Sequence, residues 1–274
     1  AMAESHCNYY SFGVLLMAVL HKTEEVQALK VLSRADLEAI GERVIRAYAA
    51  LPGVAGQVLE RVDIDHLCHD LLGLQIDYRH LSKDGVKLGL TSFCKIGVEV
   101  FPEDGEPEYS EDQFYMLDGK TLLIESELAR EGANVGRRNY TVSHESCHHI
   151  LKLLFPRDYG AQTMERCVHY CYRTRTCARD WEEWQVDTLA GIILLPAGCV
   201  QQCMERFGLG SQMRLLNRVF ARSDYRRFEE MANYMGVSKT ALSIRMSQLG
   251  LLKRNDLHDP YALVRIERDE EDEL

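Results

Sequence analysis

His144-Glu145-Ser146-Cys147-His148 lies inside a stretch, Asn139 to Leu151, that reads as an α-helix. A helix turns once every 3.6 residues, so side chains four apart stand one above the other on one face. The imidazoles of His144 and His148 are therefore expected side by side, with the Glu145 carboxylate next to the first. Two convergent neutral imidazoles are good donors for Zn²⁺. A carboxylate one residue after the first ligand can take the proton of a water that the ion activates.

A catalytic zinc usually takes three protein ligands and leaves a fourth position open. The best downstream candidate for the third is Glu183, in Asp180-Trp181-Glu182-Glu183-Trp184-Gln185-Val186-Asp187. This run opens a second apolar helix, Thr188 to Leu195, stopped by Pro196. Asp180 is the expected N-cap. Glu183 and Asp187 are four apart and share a face, so one can bind metal while the other accepts the second N–H of a ligand histidine and fixes its ring. Glu182 is the rival third ligand, pointing about 100° away round the helix. His149 falls on a different face from His148 and is expected outside the site. Cys147 puts a thiol beside the site, one helical step off the ligand face.

These stretches resemble, in the same order, those of the ImmA/IrrE family of zinc metallopeptidases. Arg137 through Leu151 is similar to the family's pattern of an arginine, an aromatic, Thr, then His-Glu and a small residue before the second His; Cys147 stands where that small residue is often Gly. Glu183 through Pro196 resembles its E-x-x-A-N-x-F-A-x-x-L-L-x-P pattern, with Val186 in place of Ala, Asp187 of Asn and Leu189 of Phe. The resemblance spans residues 33 to 252. It implies a zincin-like metallopeptidase fold of the α+β class, one Zn²⁺ and peptide-bond hydrolysis. It further implies a protein substrate, a helix-turn-helix repressor being the family's common one, and hence control of mobile-element or stress genes. On this reading His144, His148 and Glu183 hold the metal, Glu145 is the catalytic base and Asp187 orients a ligand histidine.

Outward from the motif, Ser33 begins a capped helix with apolar residues at Leu37, Ile40, Val44, Ala47, Tyr48 and Leu51. A shorter helix carries Ile64, Leu67, Leu71 and Leu72 and ends at Gly73. The period then changes. Gln75–Arg79, Lys87–Phe93, Gly97–Phe101 and Lys120–Glu125 read as strands of a small, mostly antiparallel sheet packed on the motif helix. Residues 102–119 are acidic with Pro and Gly and read as a surface loop. In zinc peptidases an edge strand commonly holds the substrate backbone; the sequence does not say which strand that is. An oxyanion donor is needed beyond zinc, and Tyr140, Tyr159, His169 and Tyr170 are the candidates.

Between the two helices Cys167, His169, Cys171 and Cys177 raise the alternative of a second, structural zinc site. The competing account is that these are small buried hydrophobes in a reducing compartment. Past Pro196 the chain is helical again, and Met231 through Leu242 resembles a helix-turn-helix, with Gly236 in the turn and Ser238 capping the next helix. The expected organisation is an extension over 1–32, a metallopeptidase domain over 33–200, a helical unit over 201–255 and an acidic tail over 256–274.

A chain of 274 residues, 46% hydrophobic and 27% charged, has the profile of an ordinary globular protein. Its net charge of −10 argues against electrostatically driven nucleic-acid binding. The segment over 224–252, with Lys239 and Arg245 on its second helix, nevertheless keeps a DNA-binding regulator as the alternative function. A pseudoenzyme that keeps its metal only for the fold is a third reading. The nine cysteines form no regular framework, which points to free thiols and the cytoplasm. The apolar run Phe12–Leu20 is too short to span a bilayer and is expected to be a packed helix or strand.

Overall fold

The computed structural model describes residues 31–102, 114–159, 167–173 and 181–264. The run Phe12–Leu20, the Asp180 cap, Cys177 and the acidic tail lie outside these residues wholly or in their greater part. The chain is α+β and divides into two compact units between Pro196 and Ala197.

The first unit opens with α1, Arg34–Ala49. Its start is fixed by a capping box: the Ser33 hydroxyl accepts from the Asp36 N–H at 3.2 Å, and the Asp36 carboxylate accepts from the Ser33 N–H at 2.9 Å. Leu37, Ile40, Val44, Ala47 and Tyr48 are buried, as their spacing predicts. The next helix covers the expected stretch but is not α-helical throughout. It runs as α2, Ile64–His66, and then widens into a π turn over Leu67–Leu71. Gly73, at φ +66°, ends it in the left-handed region that favours glycine. Cys68 Sγ in the π turn lies 2.9 Å from Ser146 Oγ, so the widened turn is held against the motif helix.

Strands β1 (Gln75–Arg79), β2 (Lys87–Ser92), β3 (Ile96–Glu99), β4 (Phe114–Leu117), β5 (Thr121–Glu125) and β6 (Val168–Tyr172) follow. The main sheet has the order β1-β5-β2-β6. Only β1 and β5 run parallel; β5·β2 and β2·β6 are antiparallel. Every residue of β5 is buried, as expected for an inner strand covered on both faces. Its last residue, Glu125, is a buried carboxylate compensated by His80 Nδ1 and the Leu81 N–H, each at 2.9 Å. Three strands depart from the sequence reading. β3 leaves the main sheet and pairs with β4, which lies in the stretch read as loop. β6 comes from the cysteine-rich linker and forms the sheet edge beside β2.

The motif helix, α3, runs Val135–Leu154, and α4 runs Trp181–Leu194. Asn134 caps α3 by accepting from the Arg137 N–H at 2.9 Å. The eight residues Thr141–His148 are all buried, which marks α3 as an inner helix rather than an amphipathic surface one. Arg138 ties it to both flanks, donating to Asp65 Oδ1 at 2.6 Å and to the Tyr78 hydroxyl on β1 at 3.0 Å. α4 is held in turn by α1. A Cβ on Gly41 would fall well inside contact with Ile192 Cγ2, so the two helices cross where α1 has no side chain. The Leu32 N–H donates to Gln185 Oε1 near the same junction.

The second unit contains α5 (Ala197–Arg206), β7 (Met213–Leu216), α6 (Arg222–Tyr234), α7 (Lys239–Gln248) and β8 (Leu252–Asn255). β7 and β8 form a parallel pair. Gly236 turns the chain at φ +65°, and the Ser238 hydroxyl accepts from the Ala241 N–H at 3.0 Å to cap α7. Phe228, Met231, Ala232, Leu242 and Met246 are fully buried, but Ile244 is exposed and Arg245 is buried in its place. Lys239 donates to Glu229 Oε1 at 2.6 Å and to the Tyr225 hydroxyl at 3.2 Å. Lys239 is thus engaged within the unit, and Arg245 is buried. Among the described residues no single helix is long and apolar enough to cross a membrane.

Candidate metal centre

α3 presents His144 and His148 on one face, their ring centroids 5.1 Å apart. α4 brings Glu183 to the same place. One Glu183 oxygen lies 3.2 Å from His144 Nε2 and the other 3.4 Å from His148 Nε2. Ligand atoms of the three residues all lie within 4.8 Å of one another, and the trio can hold a metal ion. Glu182, the rival third ligand, points elsewhere: its Oε1 lies 4.0 Å from His169 Nδ1. It belongs to a different grouping, with His148 and His169.

The donor chemistry fits a cation. His144 and His148 are 2% and 1% exposed, yet neither Nε2 atom has a hydrogen-bond partner. Both nitrogens sit close to Glu183 but out of hydrogen-bond alignment with it. Leaving such groups unsatisfied in a protein interior is costly. Lone pairs converging on one ion remove that cost. Burial drives the pKa of His148 well below the usual histidine range, and the neighbouring His169, His144 and His149 push the same way. His148 is therefore neutral, the form that binds metal.

Asp187, one turn past Glu183, accepts from His144 Nδ1 at 2.9 Å and from the Tyr140 hydroxyl at 2.9 Å. This fixes the proton on Nδ1 and leaves the Nε2 lone pair directed toward Glu183 and His148.

Glu145 points to the sheet side of α3. It is fully buried, and neither oxygen meets a donor in hydrogen-bond geometry. Burial pushes its pKa up to about 8, Glu183 adds to the rise, and His144 and the Cys171 backbone oppose it. Room for this carboxylate comes from Gly89 on β2. A Cβ there would lie 2.6 Å from Thr141 Cγ2 and 2.7 Å from Glu145 Oε1. Glycine inside a strand is a recognisable sign of close approach, and Gly89 was legible in that sense, although the spacing of the motif does not name it.

His149 bonds Thr91 Oγ1 through Nε2 at 2.7 Å, outside the trio, as its helical face requires. Cys147 is fully buried near Ser143 and Cys68 and belongs to no candidate metal grouping among the described residues. Cys167 lies beside Cys94 and likewise belongs to none, so the cysteine-rich linker does not assemble a separate site from its described members. Of the four oxyanion candidates, Tyr140 is committed to Asp187 and Tyr170 packs on the Leu90–Val98 core cluster. Tyr159 is buried and has no contact with the trio among those described. His169 alone stacks on a ligand candidate, with its ring 4.2 Å from that of His148 and 30° from parallel.

No protein-family model matches the chain, and no curated protein is found to match it.

Proposed function

We propose that this protein is a zinc-dependent peptidase that hydrolyses a peptide bond in a protein substrate, and that its fold is a zincin-like one. The observation that carries the reading is the convergence of His144 Nε2, His148 Nε2 and both Glu183 oxygens on one point, beside a buried carboxylate in the adjacent position of the helix. When bound there, Zn²⁺ supplies Lewis acidity, polarising a carbonyl and lowering the pKa of water to about 7.

The chain's own residues supply the rest. Glu145 accepts the proton of the attacking water at a carboxylate oxygen and returns it to the leaving amine. Burial makes it a stronger base once ionised, and a cation held by the neighbouring ligands would favour that ionised form, which burial alone disfavours. Asp187 keeps His144 in the ligating tautomer. His169, stacked on His148, donates to the developing oxyanion. β6 and β2 close the sheet side of the site and exclude bulk water from Glu145. The resemblance noted above makes a helix-turn-helix repressor the substrate class to try first.

The test is to load the purified chain with zinc and incubate it with repressors encoded beside it. We expect one zinc per chain and a single cut. Glu145→Gln should keep the zinc and cut nothing. Absence of a bound divalent ion, or cleavage that survives Glu145→Gln, would overturn the reading.

A further inference from the structure

The site has a fourth potential ligand that its motifs do not name. Cys171 lies on β6, in register with Gly89 on β2, the strand position that leaves room for Glu145. It is 8% exposed. Its Sγ, a ring nitrogen of His144 and a carboxylate oxygen of Glu145 all lie within 4.8 Å of one another. A buried cysteine alone signifies little, since thiols pack well in cores. Here a second observation points to a ligand. His144 Nε2 is a buried polar atom without a hydrogen-bond partner, and His144 is one of the residues grouped with the thiol.

We propose that Cys171 is a metal ligand of this centre, its thiolate taking the coordination position beside His144 that would otherwise admit water. The inference rests on the assignment of His144, His148 and Glu183 as the other ligands. Thiolate is a strong ligand for zinc, and the metal itself lowers the thiol pKa enough to release the proton. That proton passes to solvent, and no oxidant or reductant is needed. The thiol groups with His144 and not with His148 or Glu183, so an approach of β6 toward His144 would complete four protein ligands, the arrangement of a closed site. Withdrawal of the β6 thiol opens one position and admits water next to Glu145. An edge strand is suited to such movement, and among the described residues β6 is paired on one side only. Cys147, the thiol nearest in sequence to the ligands, has no part in this.

Cobalt(II) reports the difference directly, because thiolate ligation adds an intense sulfur-to-metal charge-transfer band in the near ultraviolet. Cobalt is titrated into the metal-free full chain and into Cys171→Ser and Cys171→Ala, with circular dichroism confirming that each is folded. The wild type should bind one cobalt and show both the near-ultraviolet band and the visible bands of a low-coordinate ion. Both variants should still bind one cobalt and keep the visible bands, with the near-ultraviolet band lost. If the variants retain that band, the sulfur ligand is another cysteine and the proposal fails. If the wild type binds one cobalt without the band, the thiol is not a ligand, while the centre of two histidines and Glu183 stands. If the wild type binds no cobalt, the centre and the thiol assignment both fall.

Discussion

Asp187 Oδ1 accepts the Nδ1–H of His144 at 2.9 Å, joining α4 to α3 across the site. The same oxygen accepts the Tyr140 hydroxyl, so its position is set from two directions. A carboxylate so placed holds the ring with its Nε2 toward the other donors. Asp187→Ala should therefore weaken metal binding by about 10–100-fold, the usual range for loss of such an orienting partner. Tyr140→Phe should cost less, because Asp187 still accepts from His144. Competition with a chelator of known affinity measures both. Equal affinity in wild type and Asp187→Ala would show that the ring needs no such support.

Glu183 and Glu182 are neighbours in sequence but belong to different groupings, with His148 in both. Glu183 reaches the Nε2 atoms of His144 and His148, whereas Glu182 lies by His169. Glu183→Ala should weaken zinc binding far more than Glu182→Ala does. Metal analysis after gel filtration decides the matter. The reverse result would place the ion among His148, His169 and Glu182, the other grouping that His148 can serve.

The helical part of the site was legible because the 3.6-residue period fixes which side chains share a face. It pairs His144 with His148 and Glu183 with Asp187, separates Glu182 from Glu183 and sets His149 aside. Strand membership was harder to read. Gln75–Arg79 and Thr121–Glu125 stand out by their alternating or continuous apolar character. Val168–Tyr172 is only five residues long and carries His and Cys, residues that suggest metal chemistry before they suggest a sheet edge. Phe114–Leu117 borders an acidic, Gly- and Pro-containing stretch and was absorbed into it. On α7 the apolar Ile244 is exposed while Arg245 is buried. Charge is a weak guide to burial when a guanidinium can find partners inside a small unit.

Gly89→Ala tests the nook that houses the base. The new methyl would lie 2.6 Å from Thr141 Cγ2 and 2.7 Å from Glu145 Oε1. Something must shift, and the carboxylate is the more mobile of the two. Overpacking of this kind costs about 1–3 kcal/mol. The ligands themselves do not touch the new methyl among its nearest atoms, so zinc affinity should change little. Cleavage should fall much more than metal content does. A variant with unchanged turnover per zinc would mean that Glu145 need not sit against β2 to act.

Gly41→Ala probes the helix crossing that carries α4, and with it Glu183 and Asp187. A Cβ at residue 41 would overlap the Cγ2 of Ile192, and it would lie 3.8 Å from Leu189 Cδ1. Ile192 is 3% exposed, so it has little room to yield. The substitution should destabilise by about 1–3 kcal/mol, even though alanine is the better helix former by roughly 1 kcal/mol. Ile192→Ala alone should cost about 2–5 kcal/mol by leaving a cavity. In the double variant the new methyl enters space that Ile192 has vacated, so the loss should be smaller than the sum of the two single losses. Chemical denaturation of the four proteins gives that coupling energy. A strictly additive pair would show that the helices adjust independently of this contact, and that Gly41 is not what sets their approach.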